Sequence, residues 1–499
     1  MRCLLINPEF PDTFWSFRHA ISFTRRKTAL PPLGLLTMAA LLPAQWPMRL
    51  VDLNIRPLSE ADLAWAELVF IGAMSVQRDS ALHAIERCKT AGLRVVGGGP
   101  LFTMEPELFP AVDHLVLGEA ELSLAPFLAD LEAGTARRMY HPTGFADLER
   151  SPLPLWELAE LDGYMTASIQ SSRGCPFDCD FCNVTSLLGR KPRQKTTAQV
   201  LAELDRLWDL GWRKGVFFVD DNFIGNRPRI LRDLLPALVD WRMNGPSGQP
   251  RKGMPFNTQV SINLADDATL MALMAAAGFD TVFIGLETPE DDALAECGKR
   301  QNTGRDMVAD TRRIQRAGMQ VQGGFIVGFD NDSPGVFQRQ IDLIQRSGIV
   351  TAMVGLLQAP PGTRLHARMR AAGRILSEDY GNNVDGRTNI LPLVASDALR
   401  DNYRALMLHL YKPKVYYARV RTFLREMKRP SVRAPLDLDR GTAFLRSLWR
   451  LGVLGRERFH FWRLLRWTLF HRPRSMQLAV TLAIYGHHFR RVCDTHLRA

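Results

Sequence analysis

Three cysteines, Cys175, Cys179 and Cys182, stand within the stretch Ser171-Ser172-Arg173-Gly174-Cys175-Pro176-Phe177-Asp178-Cys179-Asp180-Phe181-Cys182. Their spacing is C-x3-C-x2-C, and they follow a strand-like run from Thr166 to Gln170, so the thiols belong to a loop. Three thiolates can take three corners of a cubane iron–sulfur cluster and leave the fourth iron open to a small molecule. Structural zinc takes four ligands, and the histidines nearest along the chain are His141 and His366. An odd number of thiols in so short a loop does not suit a disulfide. On the residues alone, a plain electron-transfer cluster with a remote fourth ligand such as Cys297 is a second use of the loop.

The elements that must position this loop follow from periodicity. Residues 1 to about 130 alternate short aliphatic runs, at Cys3–Ile6, Arg49–Val51, Leu68–Gly72, Arg94–Gly97 and His114–Leu117, with helical patterns such as Ala81–Ala91 and Ser123–Glu132. That alternation predicts an α/β fold with a doubly wound, Rossmann-like parallel sheet. Ligands of such sheets lie at the carboxyl ends of the strands, where this chain has Ala73-Met74-Ser75-Val76-Gln77, Gly97-Gly98-Gly99-Pro100 and Gly118-Glu119-Ala120-Glu121. A glycine triplet lets the backbone approach a large flat or phosphorylated ligand. No G-x-G-x-x-G fingerprint accompanies it, so the loops do not read as a dinucleotide site. Beyond Pro142, Pro152 and Pro154 a second series begins, with strands at Thr166–Gln170, Gly215–Val219, Phe256–Ile262, Thr281–Leu286, Val321–Val327 and Ala352–Gln358. Six strand–helix units predict a partial (β/α)6 barrel whose function lies at the carboxyl ends of its strands.

Polar groups cluster at those ends. Asp220 and Asp221 follow the second barrel strand, and adjacent carboxylates there need a cation or donors; an exposed turn is the plainer use of Asp-Asp-Asn. Gln259, Ser261 and Asn263 alternate along the third strand and so share a face. Glu287 ends the fourth strand, where it can equally cap the next helix, and Gly323-Gly324 lie inside the fifth, where glycine marks a close backbone approach.

A chain of 499 residues requires two or three domains. The cysteines outside the loop (Cys3, Cys88, Cys297 and Cys493) are scattered, as in a reducing cytosol, where the protein is expected. The start, Met1 to Pro8, reads as a first strand and not as a signal peptide. The charge-free stretch between Lys27 and Arg49 is broken by Pro31, Pro32, Pro43 and Pro47, which predicts a buried loop and short helix instead of a membrane span. The formal net charge of +11 belongs to the tail alone: residues 401–499 carry 21 Lys and Arg against 6 Asp and Glu. That tail is helical by period and rich in Trp, Phe and Arg, with Trp449, Phe459, Trp462 and Trp467 among its aromatics. Three uses are open to it: a cap whose Arg stems cover apolar surface, a peripheral contact with an anionic membrane, or a nucleic-acid grip. No known nucleic-acid module is present, and nucleic acid is not expected as a partner.

The C-x3-C-x2-C spacing with Phe181 before the third cysteine resembles the radical S-adenosylmethionine (SAM) superfamily. The resemblance implies that Cys175, Cys179 and Cys182 hold a 4Fe–4S cluster and that SAM chelates its open iron. It further implies SAM contacts from Phe181, Asp220, Asp221, Gln259, Ser261, Glu287 and Gly324. The domain order, the Pro31-Pro32-Leu33-Gly34-Leu35-Leu36 segment and the Gly118-Glu119 loop are similar to the cobalamin-dependent branch. This implies a corrin site at Ser75, Val76, Gln77, Gly98, Gly99, Gly118 and Glu119. The D-x-H-x-x-G pattern is absent, since Asp113-His114 has the wrong spacing, so the resemblance implies base-off cobalamin with no His on cobalt. Within that branch the chain resembles the bacterial hopanoid methylases acting at carbon 2, through the Lys195-Thr196 step, Asp220–Asn226, Gly285–Pro289 and the Trp-rich basic tail.

The implied division is a cobalamin-binding domain over 1–140, a linker over 141–160, a SAM barrel over 161–390 and a helical domain over 391–499. The implied reaction is C-methylation of an unactivated carbon of an apolar substrate through a 5′-deoxyadenosyl radical and methylcobalamin, with flavodoxin or ferredoxin as reductant. Two other classes stay open: a non-methylating cobalamin-dependent cyclisation, ring contraction or oxidation, and a non-catalytic cobalamin or cluster-binding regulator.

Overall fold

A computed structural model describes all residues except 247, 378, 379, 383, 431, 433–436, 498 and 499. The chain packs as two compact units that interleave along the sequence: Met1–Pro11, Lys27–Cys175 and Asn183–Trp212 form the first, and Asp12–Arg26, Pro176–Cys182 and Arg213–Ala499 the second.

The first unit is built on six strands, Cys3–Asn7 (β1), Met48–Asp52 (β2), Leu68–Gly72 (β3), Arg94–Gly98 (β4), His114–Val116 (β5) and Met139–Tyr140 (β6). All pair in parallel, in the order β2-β1-β3-β4-β5-β6. Alternate residues of each strand enter separate cores: Leu4, Ile6, Val69, Ile71 and Val95 on one face, Cys3, Leu5, Leu68, Phe70 and Val96 on the other. Both faces are therefore covered, which is why these strands read as unbroken apolar runs. The order reverses between β1 and β3, and a doubly wound sheet opens its ligand crevice at that reversal. The residues there are Asn7-Pro8 after β1 and Ala73–Gln77 after β3. Strand β6 carries no signal in the sequence; it is two residues long at the sheet edge.

The rest of the first unit holds a short strand, Ala167–Ile169 (β7), and an antiparallel hairpin of Ser172–Arg173 (β8) with Arg193–Gln194 (β9). The Lys195-Thr196 step then has a structural explanation. Thr196 caps helix Thr197–Asp209 in a reciprocal box with Gln199, and Lys195 forms a buried ion pair with Glu203.

The second unit carries Val216–Phe218 (β10), Phe256–Gln259 (β11), Phe279–Glu287 (β12), Gln320–Val327 (β13) and Ala352–Leu356 (β14). They are neighbours in sequence order and all parallel. Sequential parallel strands with right-handed crossovers put every helix on one side, so this sheet has one covered face and one open face. Burial follows: Val282, Ile284 and Leu286 are fully buried, whereas Phe283 and Gly285 between them are not, and β13 alternates in the same way. The third barrel strand is shorter than the sequence pattern predicts. It stops at Gln259, and a 3-10 turn over Ile262–Asp266 takes Ser261 and Asn263 out of the ladder.

The tail is helical, as expected, over Ser396–Leu410, Pro413–Glu426, Leu438–Arg450, Arg458–His471 and Met476–Leu497. Segment Asp12–Arg26 packs with it: the Phe14 and Phe489 rings lie 5.4 Å apart and Arg26 Nε donates to Asp439 Oδ2 at 2.6 Å. The charge-free stretch before Arg49 forms the short helix Leu33–Ala39. Among the described residues no helix is long and apolar enough to cross a membrane.

The turn after β13 is closed by Asp332, which accepts the backbone N–H of Gly328 at 2.6 Å and of Phe329 at 3.1 Å. Burial, reinforced by Glu290 and Glu296, pushes this carboxyl up to about 6 against the pull of those hydrogen bonds. The folded state thus holds the proton more tightly than the unfolded chain. This group's contribution to stability is complete below about pH 4 and lost as pH rises towards 6. Asp332→Asn, which keeps an acceptor without the charge, should flatten the decline of unfolding free energy between pH 4 and 6. At pH 7 it should be the more stable protein, by up to about 3 kcal/mol. An unchanged slope in urea titrations across that range would count against the assignment.

Candidate functional site

The cysteine loop leaves the first unit on a backbone that only glycine can supply. Gly174 has φ 93°, and a Cβ there would meet the carbonyl oxygens of Gly189, Leu188 and Lys191 at 2.9–3.0 Å. Cys175 N donates to Gly189 O at 3.2 Å.

The remaining thiols belong to the second unit. Cys182 N donates to Cys179 O at 3.1 Å and Asp180 N to Cys297 O at 2.9 Å, while the Asp180 carboxylate meets Arg368 at 2.9 Å. Phe181 lies edge-on to Phe329, ring centroids 6.3 Å apart, with Lys299 Nζ 5.9 Å from its ring. Lys299 pairs with Glu287. Burial opposes its charge, but Glu287 and the Cys179 and Cys182 thiols outweigh burial and hold it protonated well above the usual lysine range. A fixed cation beside thiols favours thiolates and offsets an anionic cluster. All three loop thiols are half-buried, whereas Cys297 is buried, bonds to Leu294 O at 3.5 Å and is pushed up to about 12 by burial. The half-buried trio thus fits a cluster better than Cys297 fits the part of a fourth ligand. Among the described residues no three Cys, His, Asp or Glu side chains stand close enough to hold a single metal ion; a cubane takes one thiolate on each of three irons.

The expected SAM residues divide by face. Asp221, Gln259, Ser261 and Gly324 are half-buried on the open side, whereas Asp220 is fully buried beside Asp221. Gly285 and Gly324 are register partners on β12 and β13, and a Cβ on Gly324 would meet the Phe283 ring at 2.7 Å. Glu287 takes φ 63° at an irregularity of the ladder, held by Gln340 Nε2 donating to its carbonyl at 3.0 Å. Asn222 Nδ2 donates to Ser261 Oγ at 3.2 Å, and Asn222 Oδ1 is buried without a hydrogen-bond partner among the described residues. A buried acceptor with no donor beside Asp221 fits the ammonium end of a ligand such as SAM.

Sequence reasoning missed the aromatic wall of this face. Trp15, 49% exposed, lies with its ring centroid 4.8 Å from that of Phe283. A lone Trp some 270 residues from its partner gives no periodic signal.

On the first sheet the glycine loops form one framework. Gly99 has φ 87° and Gly118 φ 68°. Thr103 Oγ1 donates to Gly99 O at 2.9 Å and accepts from Gly118 N at 3.0 Å, tying the two loops together. A 3-10 turn over Ser75–Gln77 follows β3, leaving Ser75 and Val76 half-buried. Gln77 and Glu119, expected as ligand contacts, have their side chains engaged within the unit. Gln77 Oε1 accepts Met74 N at 2.9 Å and its Nε2 donates to Asn7 Oδ1 at 3.3 Å, so it pins β1 to the loop after β3. Glu119 accepts from Ala146 N at 2.7 Å, Arg173 Nη1 at 2.8 Å and Arg193 Nη1 at 2.9 Å. Arg173 also grips Glu121 at 2.8 Å. The glycine loops are thus held in place by buried side chains of the same unit.

Residues 169–370 match the radical SAM superfamily, and residues 363–499 match a domain of unknown function, DUF4070. An uncharacterized methyltransferase of Synechocystis sp. is 39% identical over 98% of this chain and 91% of its own length. The hopanoid C-2 methylase of Rhodopseudomonas palustris is 33% identical over 97% of this chain and 93% of its own. The chain belongs to the radical SAM methyltransferases. The solved structure of the cobalamin-dependent SAM radical enzyme OxsB, with aqua-cobalamin and SAM bound, shares its fold with a TM-score of 0.63 at 14% identity, covering 100% of this chain and 80% of that one. The radical SAM methyltransferase TsrM of Kitasatospora setae gives a TM-score of 0.62 at 18% identity, covering 94% and 99%. The radical SAM match brings with it a 4Fe–4S cluster and SAM.

Arg173 offers a test of how the first cysteine is positioned. Glu119 and Glu121 are both at most 9% exposed, and removing one partner of a buried ion pair costs about 3–5 kcal/mol. Arg173→Gln should lose about that much in chemical denaturation, and Arg173→Gln with Glu121→Gln should recover more than half of it. A strictly additive double-mutant cycle would show that the pair is not coupled.

Proposed function

We propose that this methyltransferase methylates an unactivated carbon of an apolar, polycyclic lipid of the hopanoid type. The observation that carries this reading is the Trp15–Phe283 pair, an aromatic wall on the open face of the barrel sheet beside Gly285 and Gly324. An apolar ring system gains from such a wall through its buried area, about 25 cal/mol per Å2. Support also comes from the 33% identity, over nearly the whole chain, with a hopanoid C-2 methylase.

In this reading residues 1–140 hold cobalamin, 141–160 join the parts, 161–390 bind the cluster and SAM, and 391–499 form the tail domain. Cys175, Cys179 and Cys182 hold the cluster. Phe181, Asp221, Gln259, Ser261, Glu287 and Gly324 surround SAM, with the fully buried Asp220 as support, and Ser75, Val76, Gly98, Gly99 and Gly118 frame cobalamin, with Gln77 and Glu119 bracing those loops. Bound there, the cluster with SAM supplies a hydrogen-abstracting radical, and cobalamin supplies the methyl group. The chain's own work is positional. Lys299 offsets charge beside Cys179 and Cys182, Asn222 orients Ser261, and Trp15 with Phe283 holds the substrate and excludes water. No acid–base pair is needed for such chemistry. A small electron-carrier protein such as flavodoxin or ferredoxin is the reductant, and the basic tail is the contact with the membrane that holds the substrate.

The test is anaerobic turnover with reconstituted protein, deuteromethyl SAM and a hopanoid lipid. The product should gain the labelled methyl group; 5′-deoxyadenosine release without label in any lipid product would overturn the methylation. Trp15→Ala should raise KM for the lipid roughly 10–100-fold, the value of one lost aromatic contact, while release of 5′-deoxyadenosine without lipid stays near the parent level. Replacing all three loop cysteines by Ala should abolish the brown absorbance and leave cobalamin bound.

A further inference from the structure

Exposed large apolar side chains are concentrated in one part of the second unit. Between Leu438 and Phe470 the surface carries Leu438, Leu445, Trp449, Leu454, Phe459 and Phe470, all more than half exposed. In helix Arg458–His471 the exposed positions include Phe459, Trp462, Arg463, Arg466 and Phe470, spaced by three and four, opposite the buried Phe461, Leu464, Leu465 and Thr468. The helix therefore turns a mixed aromatic and basic stripe outward.

The charge on this surface has one sign. Arg450, Arg456, Arg458, Arg463, Arg466 and Arg472 are exposed, and among the described residues none of them pairs with a carboxylate. The acidic groups nearby face inward: Glu457 is buried against Arg490, and Asp439 is held by Arg26 and Lys214. A uniformly cationic face repels a second copy of itself. A helix pair with aromatic and aliphatic tips between arginines suits a surface that is anionic at its boundary and apolar beneath, which is an anionic lipid bilayer.

We propose that the helices Leu438–Arg450 and Arg458–His471, with the turn between them, are the docking surface for an anionic bilayer. Phe459, Phe470, Leu454 and Trp449 enter the acyl boundary, and Arg456, Arg463 and Arg466 meet the headgroup phosphates. This deepens the membrane contact of the proposed function and rests on that contact, but not on the identity of the methylated lipid.

Full-length protein is sedimented with vesicles of phosphatidylcholine alone and of phosphatidylcholine with phosphatidylglycerol. It should bind the second strongly and the first weakly, with binding falling as salt rises. Arg456→Gln, Arg463→Gln and Arg466→Gln together should lower the partition coefficient about a hundredfold. Phe459→Ser with Phe470→Ser, both exposed and so harmless to folding, should lower it at least tenfold. Release of 5′-deoxyadenosine should match the parent in both variants, showing an intact fold. Equal binding to both vesicles, or variants that bind like the parent, would overturn the proposal. So would tight binding of a DNA duplex, lost in the triple Arg variant, alongside no vesicle binding. Failure of methyl labelling with intact vesicle binding would sink the substrate reading and leave the docking surface standing.

Discussion

The first unit depends on one buried knot of charge. Glu119 and Glu121 sit just past a glycine in the left-handed region, at the cap and in the first turn of the helix Ala120–Glu132 after β5, and two guanidinium groups from the β8–β9 hairpin close over them. Neither carboxylate is tolerable alone at that depth. Burial works to raise the Glu121 carboxyl, and Arg173 outweighs burial and holds it below the ordinary range. Because Arg173 is two residues from Cys175, the groups that neutralise the glycine loop also anchor the start of the cysteine loop. Ser151 and Ala146 add donors at 2.8 and 2.7 Å, so the stretch leading from the sheet to the hairpin is drawn into the same knot. The glycine loop and the hairpin that leads to Cys175, fixed by shared ion pairs, cannot drift independently of each other.

The two sheets solve different problems with the same βα unit. Reversing direction between β1 and β3 covers both faces of the first sheet and leaves only a crevice at strand ends. Keeping one direction from β10 to β14 leaves one face open along β11 to β13, and its half-buried residues are mostly small, polar or aromatic, with Ile326 an aliphatic exception. On that face Gly285 and Gly324 are needed because their surroundings leave no room: the Phe283 ring fills the space a Cβ on Gly324 would take, and the Glu287–Lys299 pair fills it at Gly285. Glycine there is a consequence of packing as much as of any ligand.

Much of this was legible in the sequence, for identifiable reasons. The cysteine spacing is local and chemically narrow. The strands β1, β3 and β12 announce themselves because burial on at least one face enforces an apolar pattern. What was not legible is long-range. Arg173 and Arg193 resemble any basic pair until the hairpin pairs them in register, and β6 and the hairpin strands are too short for periodicity. Ser261 was placed on a strand because alternation continues past Gln259, but a 3-10 turn preserves polar spacing while ending the ladder. Gln77 and Glu119 were expected as ligand contacts, yet their side chains are bonded within the unit, a distinction that depends on which way a buried amide or carboxylate turns.

The basic tail shows the same limit from another side. Its composition allowed a cap or a contact surface, and the fold divides the arginines between an interior and an exposed face. Arg419 is fully buried, lies 5.6 Å from the Tyr411 ring, and donates to Gln345 Oε1 at 2.6 Å and to the carbonyls of Leu410 and Val350. It is a guanidinium solvated by the protein itself, and burial lowers its affinity for the proton. Arg490 pairs with Glu457 beneath the same helices. These two belong to the core of the cap, whereas Arg456, Arg463 and Arg466 belong to its outer surface. Composition is identical for both groups. Only the helix face on which each arginine falls separates an internal clamp from a charge held out to solvent, and in a tail this rich in arginine both faces had to be used.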